Sequence, residues 1–121
     1  MPIIDHIGLP VRNYRKSKQF YLEVLKPLGY ELIKEFGNIG GFGKEGKAEF
    51  WIEEGIPHNR FHVAFIAKDH KTVDAFYETA LKAGGKDNGA PGPRPQYHEN
   101  YYGAFILDLD GYNIEAVCHG I

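Results

Sequence analysis

Hydrophobic and polar residues alternate near the start of the chain, and a helical pattern follows the alternation. Residues 3–11 alternate with a period of two, which predicts a strand with His6 on its less apolar face. Apolar residues between positions 20 and 28 recur at the spacing of one helix face. We expect Asn13 to cap this helix and Pro27 with Gly29 to end it.

The pattern then changes to short extended stretches separated by turn residues. Strands are predicted over residues 31–35 and 47–53, and the segment 37–46 is turn-rich with a short strand at its centre. The first half of the chain is therefore predicted to have the element order βαβββ.

The second half begins with the same pattern. Residues 61–66 alternate as a strand, and a helix follows that Asp69 is expected to cap and Gly84 and Gly85 to end. The chain then closes with a predicted hairpin, whose strands cover residues 101–107 and 112–118.

A shift of fifty-six positions aligns the two halves without a gap. It superposes five pairs of identical residues, namely His6 on His62, Phe20 on Phe76, Tyr21 on Tyr77, Leu25 on Leu81 and Gly29 on Gly85. This coincidence indicates an internal duplication. Half of 121 residues would be only marginally stable alone, so we expect one domain in which both modules bury their apolar faces together. Module one would cover residues 1–55, a linker 56–60, and module two 61–121.

The duplication places chemically active side chains at equivalent positions. Strand alternation puts His6, Glu49, His62 and Glu115 on the faces that point away from the helices. Two imidazoles and one or two carboxylates suit a divalent metal with open coordination positions. A single strand histidine is more often a packed core residue, and Glu49 alone would be an ordinary surface charge. The symmetric set favours a metal site.

The inserted segment 88–98 departs from the repeat. It is so rich in glycine and proline that we predict a loop over the site rather than regular structure. Arg94 and His98 in this loop, with Tyr101 and Tyr102 after it, are candidate substrate-binding residues. Tyr101 and Tyr102 should point to opposite faces, so one of them is expected to be core, and His98 has solvent exposure as its alternative.

Trp51 shares the face of Glu49 and is a further candidate for the wall of a substrate cavity, with simple packing as the alternative.

The composition of the chain limits the classes of partner that the protein is expected to bind. A net charge of −2 argues against nucleic acid and anionic membranes, and no apolar run is long enough to span a bilayer. A single cysteine, Cys118, excludes an intrachain disulfide. These features predict a cytoplasmic protein with a small-molecule substrate.

Three segments carry a resemblance to a known family. They are residues 5–9 (DHIGL), residues 61–65 (FHVAF) and the ending 107–115 (LDLDGYNIE). With the tandem βαβββ modules, they resemble the vicinal oxygen chelate superfamily, which includes glyoxalases, bleomycin-resistance proteins, fosfomycin-resistance proteins and extradiol dioxygenases. The ending is the most specific part, although family members usually have proline where this chain has Leu109.

The resemblance implies an α+β fold in which two tandem βαβββ modules form a half-open mixed β-barrel with the helices outside. It implies that His6, His62 and Glu115 match the metal triad of the family, and that Glu49 matches the fourth ligand of glyoxalase-type members. Glu49 or Glu115 would then act as the catalytic base. The metal would be Zn, Ni, Mn, Co or Fe(II).

The reaction is less constrained than the fold, because one scaffold hosts many activities. The four-ligand set favours a glyoxalase-like lyase or isomerase that acts on a small oxygen-rich compound. An Fe(II) extradiol-type dioxygenase and a metal-free binding or resistance protein are the alternatives. A homodimer is expected, because exposed module edges in a small chain invite pairing.

Overall fold

The computed structural model describes residues 4–58 and 60–120 of the chain. The chain divides into two compact units, Met1–His58 and Asn59–Ile121, each of which has its own four-stranded open sheet and its own α-helix. The α+β class and the two βαβββ modules are confirmed. Neither helix in the described ranges is long and apolar enough to cross a membrane.

The first unit has strand order β1-β4-β3-β2 in its sheet, with β1 parallel to β4 and the remaining neighbours antiparallel. A single turn of 3-10 helix, Lys26–Leu28, follows the α-helix. The elements are β1 (Ile7–Val11), α1 (Tyr14–Val24), β2 (Glu31–Phe36), β3 (Ile39–Lys44) and β4 (Lys47–Glu54).

The second unit repeats this arrangement with the order β5-β8-β7-β6. Here β5 is parallel to β8, and the other neighbours are antiparallel. The elements are β5 (His62–Ile66), α2 (His70–Lys82), β6 (Lys86–Pro93), β7 (Tyr102–Leu107) and β8 (Asn113–Cys118).

Each sheet buries one face against its helix and leaves the other face for polar side chains. In the first unit Phe50 and Ile52 of β4 are fully buried, and the ring of Tyr21 from α1 meets Phe50 edge to face at 4.9 Å. In the second unit Phe76 of α2 and Ile114 of β8 are equally buried. Full burial of one such side chain contributes about 1.5–3 kcal/mol, so these cores hold each helix on its sheet.

Both predicted helix caps are confirmed. The Asn13 side chain accepts a hydrogen bond from the Lys16 backbone N–H at 3.0 Å, and the Asp69 carboxylate accepts one from the Thr72 N–H at 2.7 Å. The end of the first helix differs from the prediction. α1 ends at Val24, and Pro27, which has no N–H to continue an α-helix, lies in the 3-10 turn that Gly29 closes with a left-handed φ of 82°.

The predictions for two strands of the first unit need correction. β1 begins at Ile7, so His6 directly precedes the strand, while Ile3 lies outside the described residues. β3 is a full six-residue strand rather than a short one within a turn. Two of its glycines lie where neighbouring atoms leave no room for a side chain. A Cβ on Gly43 would lie 1.7 Å from the Lys47 carbonyl oxygen, and one on Gly41 would lie 2.8 Å from the Trp51 ring.

The predicted loop over residues 88–98 was wrong for most of its length. Lys86–Pro93 forms β6, paired antiparallel with β7, and the pairing register shifts between Asp87 and Gly89 and again between Gly89 and Gly92. An edge strand bonds on one side only, so it tolerates prolines and glycines that a central strand would not. Only residues 94–101 connect β6 to β7 without strand structure.

Candidate metal centre

The second unit holds a histidine and a buried carboxylate in direct contact. β5 and β8 run parallel, and their register sets Ala64 opposite Glu115 and His62 opposite Asn113. The His62 Nε2 lies 3.0 Å from the Glu115 Oε1. The Glu115 side chain is 2% exposed and that of His62 is 45% exposed. A carboxylate so deeply buried needs compensating partners.

The orientation of His62 follows from its other ring nitrogen. The His62 Nδ1 lies 3.0 Å from the carbonyl oxygen of Asn113, which can only accept a hydrogen bond, so Nδ1 carries the proton. In the neutral ring the Nε2 lone pair then points at a carboxylate oxygen. This is the orientation in which metal-binding histidines are held by a backbone carbonyl. A proton on Nε2 gives an ion pair instead.

Tyr101 holds the second oxygen of the same carboxylate. Its hydroxyl donates to the Glu115 Oε2, and burial together with the neighbouring carboxylate raises the pKa of the Tyr101 hydroxyl. Tyr101 therefore stays a donor over the physiological pH range. Gly103 makes room for this contact, because a Cβ there would lie 3.1 Å from the Glu115 Oε2 and 3.2 Å from the Tyr101 ring.

The first unit holds a second carboxylate in a related way. Glu49 lies on β4 directly before Phe50, and the Tyr30 hydroxyl donates to the Glu49 Oε1 at 2.7 Å. Burial and the Glu49 carboxylate raise the pKa of the Tyr30 hydroxyl. Glu49 is only partly buried.

His6 has the same orientation as His62, produced by a different partner. Its Nδ1 lies 2.8 Å from the Asp5 Oδ2, and the Asp5 Oδ1 accepts from the Lys47 Nζ at 2.7 Å. Lys47 and His6 hold the pKa of the Asp5 carboxyl below its usual range. An ionised carboxylate on Nδ1 leaves the His6 Nε2 free as a ligand.

Within the part of the chain that the structure describes, no three histidine, cysteine or carboxylate side chains are gathered into a metal cluster. Each unit supplies one imidazole nitrogen and one carboxylate. The donor chemistry fits a borderline divalent cation, because both imidazoles are held through Nδ1 and both carboxylates are held by a tyrosine. Ligation by His6, Glu49, His62 and Glu115 stays a prediction.

Trp51 lies in the wall of a cavity within the first unit. The cavity has a volume of about 570 Å³, and Trp51 stacks on Phe36 with ring centroids 6.4 Å apart. Among the described residues, no lysine or arginine lines it. Its lining consists of His6, Gly8, Leu9, Pro10, Ile39, Trp51, Glu53, Glu54 and Gly55.

Arg94 is held by the backbone of its own strand. Its guanidinium donates to the carbonyl oxygens of Ala90 at 2.8 Å and Gly92 at 2.9 Å, and lies over the Phe105 ring at 5.5 Å. Phe105 in turn stacks on His62 at 6.0 Å. Arg94 therefore contacts the Phe105 ring, and Phe105 in turn contacts His62.

Tyr101 and Tyr102 point to opposite faces, as predicted. Tyr102 lies on the helix side, where its hydroxyl donates to Asp74 at 2.7 Å and its ring stacks on His70 at 3.8 Å. His98 contacts the Tyr101 ring edge to face at 5.3 Å. The structure therefore brings His98 and Tyr101 to the side of Glu115 and places Tyr102 away from it.

Four residues of this environment were not identified from the sequence. Asp5 had an available signal, since it directly precedes His6. Tyr30 and Phe105 had none, because only the strand register brings them to Glu49 and His62. His119, near the end of the chain, had none either, and it is exposed and hydrogen-bonded to His98.

The chain belongs to the Glyoxalase/Bleomycin resistance protein/Dioxygenase superfamily, whose family model matches residues 3–116. The vicinal oxygen chelate assignment made from the sequence is confirmed. No match to a curated protein sequence was found.

Solved structures share the fold at low sequence identity. A glyoxalase/bleomycin resistance protein from Albidiferax ferrireducens is 24% identical, with a TM-score of 0.86 over 97% of this chain and 99% of that one. A fosfomycin resistance protein, FosX, from Listeria monocytogenes is 23% identical, with a TM-score of 0.74 over 100% of this chain and 92% of that one. The FosX structure is an E126Q mutant complexed with Mn(II) and 1S,2S-dihydroxypropylphosphonic acid. These likenesses establish the fold alone.

Proposed function

We propose that this protein is a metal-dependent, glyoxalase-like lyase or isomerase that acts on a small oxygen-rich compound. The observation that carries the proposal is the shared orientation of its two histidines. The Nδ1 of His62 is held by a backbone carbonyl and that of His6 by a carboxylate, which leaves Nε2 of both rings for a metal. The Mn(II) and the vicinal diol bound to FosX support the same chemistry.

The two carboxylates are proposed to have unequal roles. Glu115 is buried, and the Tyr101 hydroxyl donates to its Oε2, so it serves as a fixed ligand. Glu49 is partly buried and held by Tyr30, so it is the better candidate to leave the metal and accept a proton from carbon next to a carbonyl. A bound divalent metal would act as a Lewis acid on two neighbouring substrate oxygens.

The lining of the cavity beside His6 limits the chemical class of the proposed substrate. Trp51 offers a flat apolar wall, while Glu53 and Glu54 place carboxylates at its lining. Arg94, a candidate substrate-binding residue, donates to backbone carbonyls. We therefore propose a substrate whose body beyond the chelating oxygens is uncharged and apolar, with Trp51 and Tyr101 as its contacts.

Metal analysis of the purified protein is the primary test. We expect close to one equivalent of a divalent metal after gentle purification or reloading with Zn, Ni, Mn, Co or Fe(II). Less than about a tenth of an equivalent would contradict the proposal and favour the metal-free binding alternative.

The ligand roles are tested by comparing Glu115→Gln with Glu49→Gln in one buffer. We expect Glu115→Gln to weaken metal binding by about a hundredfold and Glu49→Gln by about tenfold, since disturbed coordination shells lose affinity on this scale. Competition with a chromophoric chelator measures both constants. If Glu49→Gln binds metal normally while Glu115→Gln loses it, a three-ligand site replaces the four-ligand one.

That outcome would favour the second candidate, an Fe(II) extradiol-type dioxygenase. The specific observation for it is that Glu115 is buried whereas Glu49 is only partly buried, so His6, His62 and Glu115 would be the three ligands of a facial triad. Oxygen consumption with catechols after anaerobic loading of iron separates the two reactions.

We also propose a homodimer, because each small sheet has edges available for pairing. Light scattering that shows a monomer at micromolar concentration would contradict the dimer.

A further inference from the structure

Two histidines outside the proposed ligand set form a hydrogen-bonded pair beside Tyr101. The Nε2 of His98 lies 2.7 Å from the Nδ1 of His119, and the two rings stack with centroids 5.0 Å apart at 24°. His98 belongs to the β6–β7 connection, and His119 follows β8 directly. The pair therefore fastens this connection to the segment after β8.

The surrounding hydrogen bonds define where the protons of the pair lie. The Asn100 backbone N–H donates to the His98 Nδ1 at 3.2 Å, so this nitrogen is unprotonated. The His98 proton is then on Nε2 and is donated to the His119 Nδ1, which places the His119 proton on its own Nε2. Each ring is neutral in this arrangement.

A further proton cannot enter the pair without breaking a bond. Protonation of the His98 Nδ1 would set two donors against each other at Asn100, and protonation of the His119 Nδ1 would do the same at the His98 Nε2. The pair is therefore intact only while both rings are neutral, and protonation of either ring breaks one of its hydrogen bonds.

The pair also forms part of the wall around Tyr101. The rings of His98 and His119 meet the Tyr101 ring edge to face at 5.3 and 5.4 Å, and Tyr97 does so at 4.9 Å. The Tyr101 backbone N–H donates to the His98 carbonyl at 3.2 Å. A ring enclosed in this way keeps its hydroxyl directed at Glu115.

We propose that His98 and His119 are positioning residues that hold Tyr101 on Glu115 and release it on protonation. The proposal rests on the proposed function, because Glu115 is taken to be the fixed ligand. Other titratable or charged groups lie near the pair on the connection, on β7 and on β8, and they do not differ between the variants compared below. These groups are Arg94, Tyr97, Glu99, Tyr101 and Glu115.

Two substitutions of His119 separate hydrogen bonding from titration. In His119→Asn the amide oxygen occupies the place of Nδ1 and accepts from His98, and only His98 of the pair can still gain a proton. In His119→Ala no acceptor remains. His70→Ala is the matched control, because it also removes an imidazole that contacts a tyrosine ring, but that tyrosine donates to Asp74 and not to Glu115.

Metal affinity is measured at pH 8 and pH 6 with Zn²⁺ as the probe. At pH 8 we expect His119→Ala to bind about tenfold more weakly than the parent, and His119→Asn and His70→Ala to bind within about twofold of it. At pH 6 the parent should approach His119→Ala, whereas His119→Asn should bind more tightly than the parent. A parent-to-alanine ratio that does not change with pH overturns the proposal.

Nitrogen-15 NMR of the metal-free protein tests the pair independently of any metal. We expect the neutral Nε2–H form for both His98 and His119 at pH 8, and a shift of the Tyr101 ring signals between pH 8 and 6 that is smaller in His119→Asn. If these signals behave as expected but no metal binds, the proposed function fails and the positioning pair stands. Nδ1–H signals at His98, or an unchanged Tyr101, refute the pair itself.

Discussion

The two units use the same strand order but surround their carboxylates differently. Glu115 is fully buried between His62 and Tyr101, whereas Glu49 is partly buried and donated to by Tyr30. His62 is oriented by a backbone carbonyl, and His6 by an exposed carboxylate that Lys47 also contacts.

The difference lies in the connections rather than in the strands. Tyr30 comes from the residue before β2, the first strand after the helix, while Tyr101 comes from the residue before β7, the second strand after its helix. Each unit has one histidine and one carboxylate at or directly before its strands, and each obtains its tyrosine from a different segment. The carboxylate of the second unit is therefore more deeply enclosed than that of the first.

The largest expected effect is on stability, and it comes from replacing one glycine in each sheet. Gly43 is next to backbone, and Gly103 is next to side chains. Gly43→Ala should lower the free energy of unfolding by about 3 kcal/mol or more, because the new Cβ would lie 1.7 Å from the backbone oxygen of Lys47. Gly103→Ala should cost only about 1 kcal/mol, because the tight contacts are with the side chains of Glu115 and Tyr101.

Urea unfolding with metal titration measures both variants. Gly43→Ala should lower the free energy of unfolding, and the molecules that fold should bind metal as the parent does. Gly103→Ala should lose more free energy of metal binding than free energy of unfolding. Equal stability losses in the two variants would show that β3 relaxes around Gly43 and would remove this difference between the sheets.

The next largest effect is expected on metal affinity, when the hydroxyls of Tyr101 and Tyr30 are removed. Tyr101→Phe removes the donor to a buried carboxylate and should weaken metal binding by about tenfold, the lower end for an outer partner of a ligand. Tyr30→Phe should weaken it by about threefold, because water can reach the partly buried Glu49 in place of the hydroxyl. Isothermal titration with Zn²⁺ at pH 8 gives both values. A larger loss in Tyr30→Phe would make Glu49 the fixed ligand and reverse the assignment of roles.

The smallest effects concern the caps, which differ only in their chemistry. Asn13→Ala should lower stability by about 1 kcal/mol at every pH, because an amide cap does not titrate. Asp69 has a pKa lowered by its hydrogen bonds to Thr72, so its contribution is present above the ordinary carboxyl pKa and is lost as pH falls through the lowered value.

Thermal unfolding at pH 7 and pH 3 tests this last contrast. The difference between Asp69→Ala and the parent should shrink at pH 3, while that between Asn13→Ala and the parent should not. A pH-independent effect of Asp69→Ala would mean that its charge contributes nothing to the cap.

Sequence periodicity was sufficient for the two-module repeat, for both helix caps and for the order of the elements other than β6. It succeeded because apolar alternation and capping side chains are local properties, visible within a few residues of Asn13 or Asp69. The faces of Tyr101 and Tyr102 followed from the same alternation.

The rest depended on contacts between distant positions. No local pattern shows that Tyr30 reaches Glu49 nineteen residues later, or that His98 meets His119, because strand register decides both. β6 was missed for the opposite reason: its local composition signals a loop, and only pairing with β7 makes it a strand. Composition predicts poorly where one neighbouring strand determines the conformation.

The prolines of β6 also bear on how the protein behaves in a crowded solution. β6 is an edge of its sheet, and Pro91 and Pro93 lack the N–H groups that an incoming strand would need. The register shifts at Gly89 further disturb the ladder that another chain could extend. The prolines and glycines that made β6 look like a loop in the sequence therefore protect the sheet against edge-to-edge aggregation. Replacing both prolines with valine would create an aggregation-prone edge.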